Sequence, residues 1–270
     1  MQVVCDKQVV VGRGRSGYFK VEAQWNVIQW MSNSRIDARF VYLVHDLQLF
    51  GFASTEALVH ALTLDPLIAE LMPLLGQSAD RSGLRNILDI RRVAELASTG
   101  PVRMIAESVL GTKCFAVRGI LFDKTPDANW KVGWHQDTTI AVRERRETPG
   151  YGAWSEKAGV THVSAPAEVL QRMISIRLNL DACDETNGPL RVLSATHRRG
   201  ILNAKEIQKH IETDEPFAVA CTAARGAMLV FKPLLLHASS PAAVPGHRRV
   251  IHLDFAADPL PDGLNWRWTV

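Results

Sequence analysis

The sequence predicts an α+β protein: a double-stranded β-helix (jelly roll, cupin-like) backed by N-terminal helices. Three observations carry this. A stretch with good helix punctuation runs from Asp65 to Gly111. From Cys114 onward the chain is a series of short runs rich in Val, Ile, Leu and Phe, separated by turn residues such as Asn187-Gly188-Pro189 and Arg225-Gly226. Two of these runs alternate cleanly, which gives each an apolar face and a polar one. A sheet covered by helices outside and lining a ligand cavity inside needs that pattern.

Residues 1–34 match no element and read as an extension of the domain over 35–270. Their segment VGRGRSGYFK is rich in Gly and Arg, but it lacks the spacing of a phosphate loop. Asp65-Pro66 reads as an N-cap followed by proline at the first helical position, opening a helix over 66–75. Asp89 is placed to cap 90–98. Pro101 opens 101–110, which stops at Gly111. Seven strands are then expected: CFAVRGILF, WHQDTTIAV, MISIRLNLD, PLRVLS, FAVACTA, GAMLVFK and RRVIHLDFA. In the third, Ile174, Ile176, Leu178 and Leu180 share one face, and Ser175, Arg177 and Asn179 the other. In the last, Ile251, Leu253 and Phe255 oppose Arg248, Val250, His252 and Asp254. Residues 143–169 form a long insert between strands.

Bulk properties exclude several classes. The chain has 270 residues, enough to bury a substantial core. Its 31 Lys+Arg against 28 Asp+Glu leave a net charge of +3, too balanced to indicate nucleic-acid binding. Cys5, Cys114, Cys183 and Cys221 are far apart and form no CxxC pair, so neither a zinc knuckle nor a thioredoxin-type motif is present. No apolar run approaches the length of a membrane helix, and no signal-peptide block opens the chain. The expectation is a reduced, cytoplasmic setting, a small-molecule substrate and no membrane or nucleic-acid partner. Oligomeric state is unreadable.

The chemistry centres on 133-GWHQDTTIAV-142. On a strand His135 and Asp137 project to the same face. The HxD pattern is weak alone, and the chain repeats it at His252–Asp254. Two ligands do not make a tight site. Ferrous oxygenases use two histidines and one carboxylate on one face of the metal. In a jelly roll the pair lies on an early strand and the second histidine on a late one. No histidine follows His252, whereas His135 has a late partner in His237, read as ending an apolar strand. Ser239 lies two residues beyond it, and Arg248 opens the final strand. An open ferrous site also needs a reductant. A 2-oxo acid can chelate iron, and its distal carboxylate is then held by a guanidinium in bidentate fashion. Strand parity selects Arg248, not Arg249, for the inner face.

The ordered set WHQD, NGPLRVLSATHRRG and LLLHASSPAAVPGHRR resembles the phytanoyl-CoA dioxygenase family of iron(II)/2-oxoglutarate oxygenases, over roughly 83–260. The resemblance implies that His135, Asp137 and His237 bind Fe(II), that Ser239 and Arg248 clamp 2-oxoglutarate, and that Gln136 also touches the cosubstrate. It places Lys124 near the site entrance and makes the 143–169 insert a lid. It implies oxidation of a substrate C–H bond with O2, releasing succinate and carbon dioxide. Related halogenases have a small residue in place of the carboxylate, so Asp137 points to hydroxylation or another oxidation instead.

Blander readings stand beside these. His252 shares the inner face and reads either as a neighbour of the cosubstrate or as a satisfied core histidine, and His162, His197, His210 and His247 read as loop or surface residues. Arg143, Arg145 and Arg146 form a charged face that an anionic substrate can also meet. Trp130, Trp134, Tyr151 and Trp154 either pack or line a pocket; Trp134 and Trp154 are the substrate candidates. Alternative functions are a jelly-roll metal protein with non-redox, isomerase-like chemistry, and a non-catalytic small-molecule binder.

Overall fold

The structure, a computed structural model, describes residues 38–78 and 83–270; the extension expected over 1–34 lies outside the described residues. A single 3-10 turn at Ala38–Phe40 leads into α1 (Val41–Phe50) and then β1 (Phe52–Ala57). There follow α2 (Ala61–Gly76), β2 (Gly83–Arg85), α3 (Arg91–Ser98) and α4 (Gly100–Leu110). The β-rich part comprises β3 (Phe115–Lys124), β4 (Val132–His135), β5 (Thr139–Val142), β6 (Gly152–Lys157) and β7 (Val160–Ser164). A short α5 (Ala167–Gln171) precedes β8 (Met173–Asn179) and β9 (Leu190–Val192). The chain ends with α6 (Ala204–Asp214), β10 (Val219–Cys221), β11 (Ala227–Phe231), β12 (His237–Ser239) and β13 (Arg248–Ala256).

Among the described residues the strands form antiparallel sheets in the orders β1-β11-β8-β13-β3-β2, β10-β9-β12-β4 and β5-β7-β6. The first two are the walls of the jelly roll. The predicted alternation decides how the large one packs. Ile174, Ile176, Leu178, Ile251, Leu253 and Phe255 are fully buried against Leu47, Leu67, Leu71, Val102 and Ile105 of the helices. At roughly 1.5–3 kcal/mol for each large apolar side chain fully buried, this seam is the dominant contribution to stability. The opposite face carries Arg118, Arg177, Arg248 and His252 into a cavity shared with the second sheet. A second core, containing Val142, Val163, Leu170 and Trp266, forms around the three-stranded sheet.

Several sequence expectations need correction. The helix expected over 66–75 begins at Ala61, with His60 as its N-cap, so Pro66 lies inside it. Leu64, Leu67 and Leu71 bury completely along one face, and that apolar stripe outweighs the backbone bond a proline cannot make. Asp65 pairs instead with Arg225. The helix after Asp89 is capped by Ile90, because Asp89 ends a 3-10 turn and accepts from Trp268 Nε1 at 2.7 Å. WHQDTTIAV is two strands, not one, broken at residues 136–138. His237 opens a strand; the buried leucines before it form a tight turn after Lys232-Pro233, closed by Leu235 N–H to the Lys232 carbonyl at 2.9 Å. The 143–169 insert is not a bare loop. It contains β6, β7 and part of α5, and it pairs with β5.

Candidate metal centre

In the β12–β4 pair His237 stands opposite His135, which puts both rings on one face, with centroids 4.2 Å apart. The break after β4 swings Asp137 back toward them. Its backbone N–H donates to the Pro233 carbonyl at 2.9 Å, tying the break to the turn that precedes His237. Each histidine donates Nδ1–H to a carbonyl two residues earlier, His135 to Gly133 and His237 to Leu235, both at 2.8 Å. A carbonyl only accepts, so Nδ1 carries the proton and Nε2 presents its lone pair. Those Nε2 atoms lie 3.8 and 3.6 Å from the Asp137 carboxylate oxygens.

One donor atom from each of the three residues lies within 4.8 Å of the others. Ligand bonds of about 2.1 Å at right angles put donors about 3 Å apart, which small side-chain rotations reach from here. Burial pushes His237 down to about 4, against the pull of the Asp137 charge, so the imidazole is neutral at pH 7, the form that binds metal. Burial opposes ionisation of Asp137, but neighbouring His237 and Arg118 outweigh it and hold its carboxyl below the ordinary value. The neutral imidazole of His237, the neighbouring His135 ring and one carboxylate therefore suit a divalent cation.

The trio borders a cavity of about 360 Å³ between the two walls. Arg248 borders it too, only 3 % exposed. One Nη of Arg248 donates to the Gly188 carbonyl, while Nε is buried without a hydrogen-bond partner. No carboxylate pairs with it among the described residues. Arg249, by contrast, forms a bidentate pair with Asp181 at 2.6 and 2.8 Å. Ser239 Oγ donates to the same Gly188 carbonyl at 3.1 Å. Gly188 has φ +70, and a Cβ there would lie 2.5 Å from the Ser240 carbonyl oxygen, so only glycine fits.

Other expected site residues fall differently. Lys124 is not at an entrance. It is 1 % exposed, donates to Ser239 Oγ at 2.8 Å and to the Ser240 carbonyl, and lies behind Ser239 opposite Arg248. Gln136 borders the cavity, but its amide is engaged by backbone: Nε2 donates to Gly200 and Leu234, and Oε1 accepts from Leu202 N–H. Trp134 does not border the cavity. It neighbours His135 on a strand and so points the other way, against Arg191 and Glu215. Trp154 packs beside the second core under Arg145, away from the site. Trp130, left open by the sequence, does border the cavity, 5.6 Å from Lys124 Nζ. His252 is buried and bonded through Nε2 to Asp254 at 2.9 Å, but it also borders the cavity, and its Nδ1 is buried without a partner. His162 is buried on β7, not on a surface. Sequence reasoning did not single out Arg85, Arg118 or Lys157, which also border the cavity.

Comparison with known proteins places this arrangement. The phytanoyl-CoA dioxygenase profile matches residues 54–250, well over half of the chain. The chain belongs to the phytanoyl-CoA dioxygenase family. It is thereby an iron(II)/2-oxoglutarate-dependent oxygenase-type enzyme, with O2 as co-substrate. Solved structures share the family's jelly-roll fold. EctD from S. alaskensis, crystallised with bound Fe, is 19% identical with a TM-score of 0.62, over 84% of this chain and 79% of that one. The same protein is known with 2-oxoglutarate and 5-hydroxyectoine. AviO1 from Streptomyces viridochromogenes Tue57 is 18% identical with a TM-score of 0.60, over 85% of this chain and all of that one, 100%. SnoK, a non-heme alpha ketoglutarate dependent carbocyclase from nogalamycin biosynthesis, is 10% identical with a TM-score of 0.62, over 85% of this chain and 89% of that one. A comparison with curated proteins finds no match. No helix among the described residues is long and apolar enough to cross a membrane.

Proposed function

We propose that the protein hydroxylates an unactivated C–H bond of a small molecule. His135, Asp137 and His237 hold iron(II), and Arg248 with Ser239 holds the far carboxylate of 2-oxoglutarate. The observation that carries this reading is Arg248. A guanidinium buried beside a metal-ligand trio without a carboxylate is an expensive thing to fold. A ligand carboxylate supplies the missing charge. The bound iron and cosubstrate supply the oxidising power, with decarboxylation to succinate. The protein's own residues do the rest. Leu235 and Gly133 fix the imidazole tautomers. Gln136 locks the 200–202 segment beside the centre. The apolar wall of Ile120, Phe122 and Val132 keeps water from the reacting C–H bond. Asp137 fills the third ligand position with a carboxylate, which supports hydroxylation or another oxidation over halogenation.

The test is an anaerobic titration of the purified protein with iron(II), then 2-oxoglutarate, following the visible charge-transfer band of a chelated 2-oxo acid. A band that weakens at least tenfold in apparent affinity in Arg248→Ala, and is absent in His237→Ala, supports the assignment. A folded, metal-binding protein that gives no band would overturn it. Succinate release coupled to a hydroxylated product then separates hydroxylation from ring closure or epimerisation.

A further inference from the structure

The cavity has two cationic ends. The inward residues of β3 run from Arg118 to Lys124, and β13 pairs with it so that Arg248 faces Lys124 and Asp254 faces Arg118. Six residues of extended chain separate those ends, about 20 Å. The first, at Arg248 and Lys124, is where the reading above seats the far carboxylate of 2-oxoglutarate. That five-carbon diacid has its other end at the metal trio and does not reach the second.

Three elements build the second end. Arg118 of β3 is neutralised by Asp254 and donates to the Thr139 carbonyl at 3.3 Å. Lys157, the last residue of β6, donates Nζ–H to Thr139 Oγ1 at 3.4 Å. Both cations thus converge on the residue two past Asp137. Arg85 of β2 stands opposite Ile120, on the cavity side of β3. Asp137 is the one carboxylate among the described residues bordering the cavity, and the iron would claim it. Lys157 has no ion pair among the described residues.

Lys157 is also held in place. It precedes a two-residue hairpin turn, Ala158-Gly159, with φ +51 and +73, the primed geometry that suits tight hairpins. Asn86 Nδ2 donates to the Ala158 carbonyl at 2.9 Å, fastening the hairpin tip beside Arg85. Burial, then Arg118 and Arg85, push the Lys157 ammonium below its ordinary value. An anion placed there relieves that stress.

We propose that the substrate is an anion, and that Lys157 binds its carboxylate or phosphate group and directs the rest of the molecule toward His135, Asp137 and His237. This rests on the reading that 2-oxoglutarate occupies the Arg248 end. It makes the insert hairpin the bearer of substrate specificity.

The test uses protein loaded anaerobically with iron(II) and saturating 2-oxoglutarate. It is titrated by calorimetry with inorganic phosphate and, separately, with acetate. The expected result is binding of at least one anion with the charge-transfer band unchanged. Lys157→Gln should weaken it tenfold or more, and Lys157→Arg should keep it within a few-fold. Preference for phosphate or acetate assigns the substrate's charged group. Binding of neither anion overturns the proposal, as does equal binding by Lys157→Gln. So does loss of the band on adding either anion, which places that anion at the metal or the Arg248 end. If no band forms at the outset, the functional reading fails. The same titrations on protein without 2-oxoglutarate then still decide whether Lys157 binds an anion.

Discussion

Arg248 and Arg249 are neighbours in the chain with opposite surroundings. Strand parity alone separates them: one points into the cavity without a carboxylate, the other pairs with Asp181. Arg248→Met should therefore leave the cosubstrate-free protein as stable or more so, because it removes an uncompensated buried charge. It should also weaken 2-oxoglutarate binding at least tenfold. Arg249→Met should do the reverse, lowering the urea midpoint while sparing 2-oxoglutarate. Lys124 makes a second prediction. Burial first, then the charges of Arg248 and Arg177, push its ammonium from 10.5 to about 7, with the Cys183 thiol facing it from the loop after β8. Below that value folded and unfolded chains both hold the proton, and the folded state bears the full penalty of a buried charge. Above it the unfolded chain binds more protons, so this contribution to stability rises with pH from about 7 to 10.5. A carboxylate arriving at Arg248 favours the charged form of Lys124. Binding of 2-oxoglutarate should then take up a proton above neutrality and weaken as pH rises. Calorimetry in buffers of different ionisation enthalpy reads the proton, and Lys124→Met should abolish it. At this scale the sequence was legible where side-chain period decides the face. It was not legible for Lys124 and Gln136, whose partners are backbone groups and, for Lys124, the Ser239 hydroxyl, all brought in from segments distant in sequence.

At the scale of elements, legibility followed length and chemistry. The strand over 248–256 appears as expected because nine alternating residues leave no other register. The break inside WHQDTTIAV was hidden, since the Asp137–Pro233 bond that makes it is not local. Of the elements that were missed, α6 had its signal in the sequence. Asn203 and Glu206 form a capping box at the start of α6, with Asn203 Oδ1 accepting from Lys205 and Glu206 N–H at 2.9 and 3.1 Å. No residue of α6 is buried, so packing does little to hold it. The cap should then matter more than usual. Asn203→Ala should lower the opening free energy of α6 by about 1 kcal/mol, measured by amide hydrogen exchange across 204–214. The metal trio should still bind iron in that variant, because α6 contributes no ligand to it.

The whole molecule is fastened by its last residues, and no local pattern in NWRWTV announces it. Ala116 N–H donates to the Val270 carbonyl at 2.7 Å, and Val270 N–H returns a bond to Ala116 at 3.1 Å. Arg267 N–H donates to the Ala141 carbonyl at 3.1 Å, and Arg143 N–H to the Asn265 carbonyl at 3.0 Å. One segment thus joins β3 of the large sheet to β5 of the small one. Two tryptophans divide along it. Trp266 is buried in the second core, and Trp268, 7 % exposed, packs in the main core and donates to Asp89. Both faces of the segment are therefore anchored, one in each core. Since β5 begins two residues after Asp137, the segment also sets how the metal trio's carboxylate sits against the large sheet. Trp268→Ala should lower unfolding stability by about 3–5 kcal/mol, chiefly through lost packing, because the exposed Asp89 is rehydrated. Trp268→Phe should recover most of the packing and none of the hydrogen bond. If the strap positions the site as well as stabilising the fold, iron(II) affinity at low temperature, where Trp268→Ala remains folded, should fall too. An unchanged iron affinity in the folded variant would confine the strap to stability.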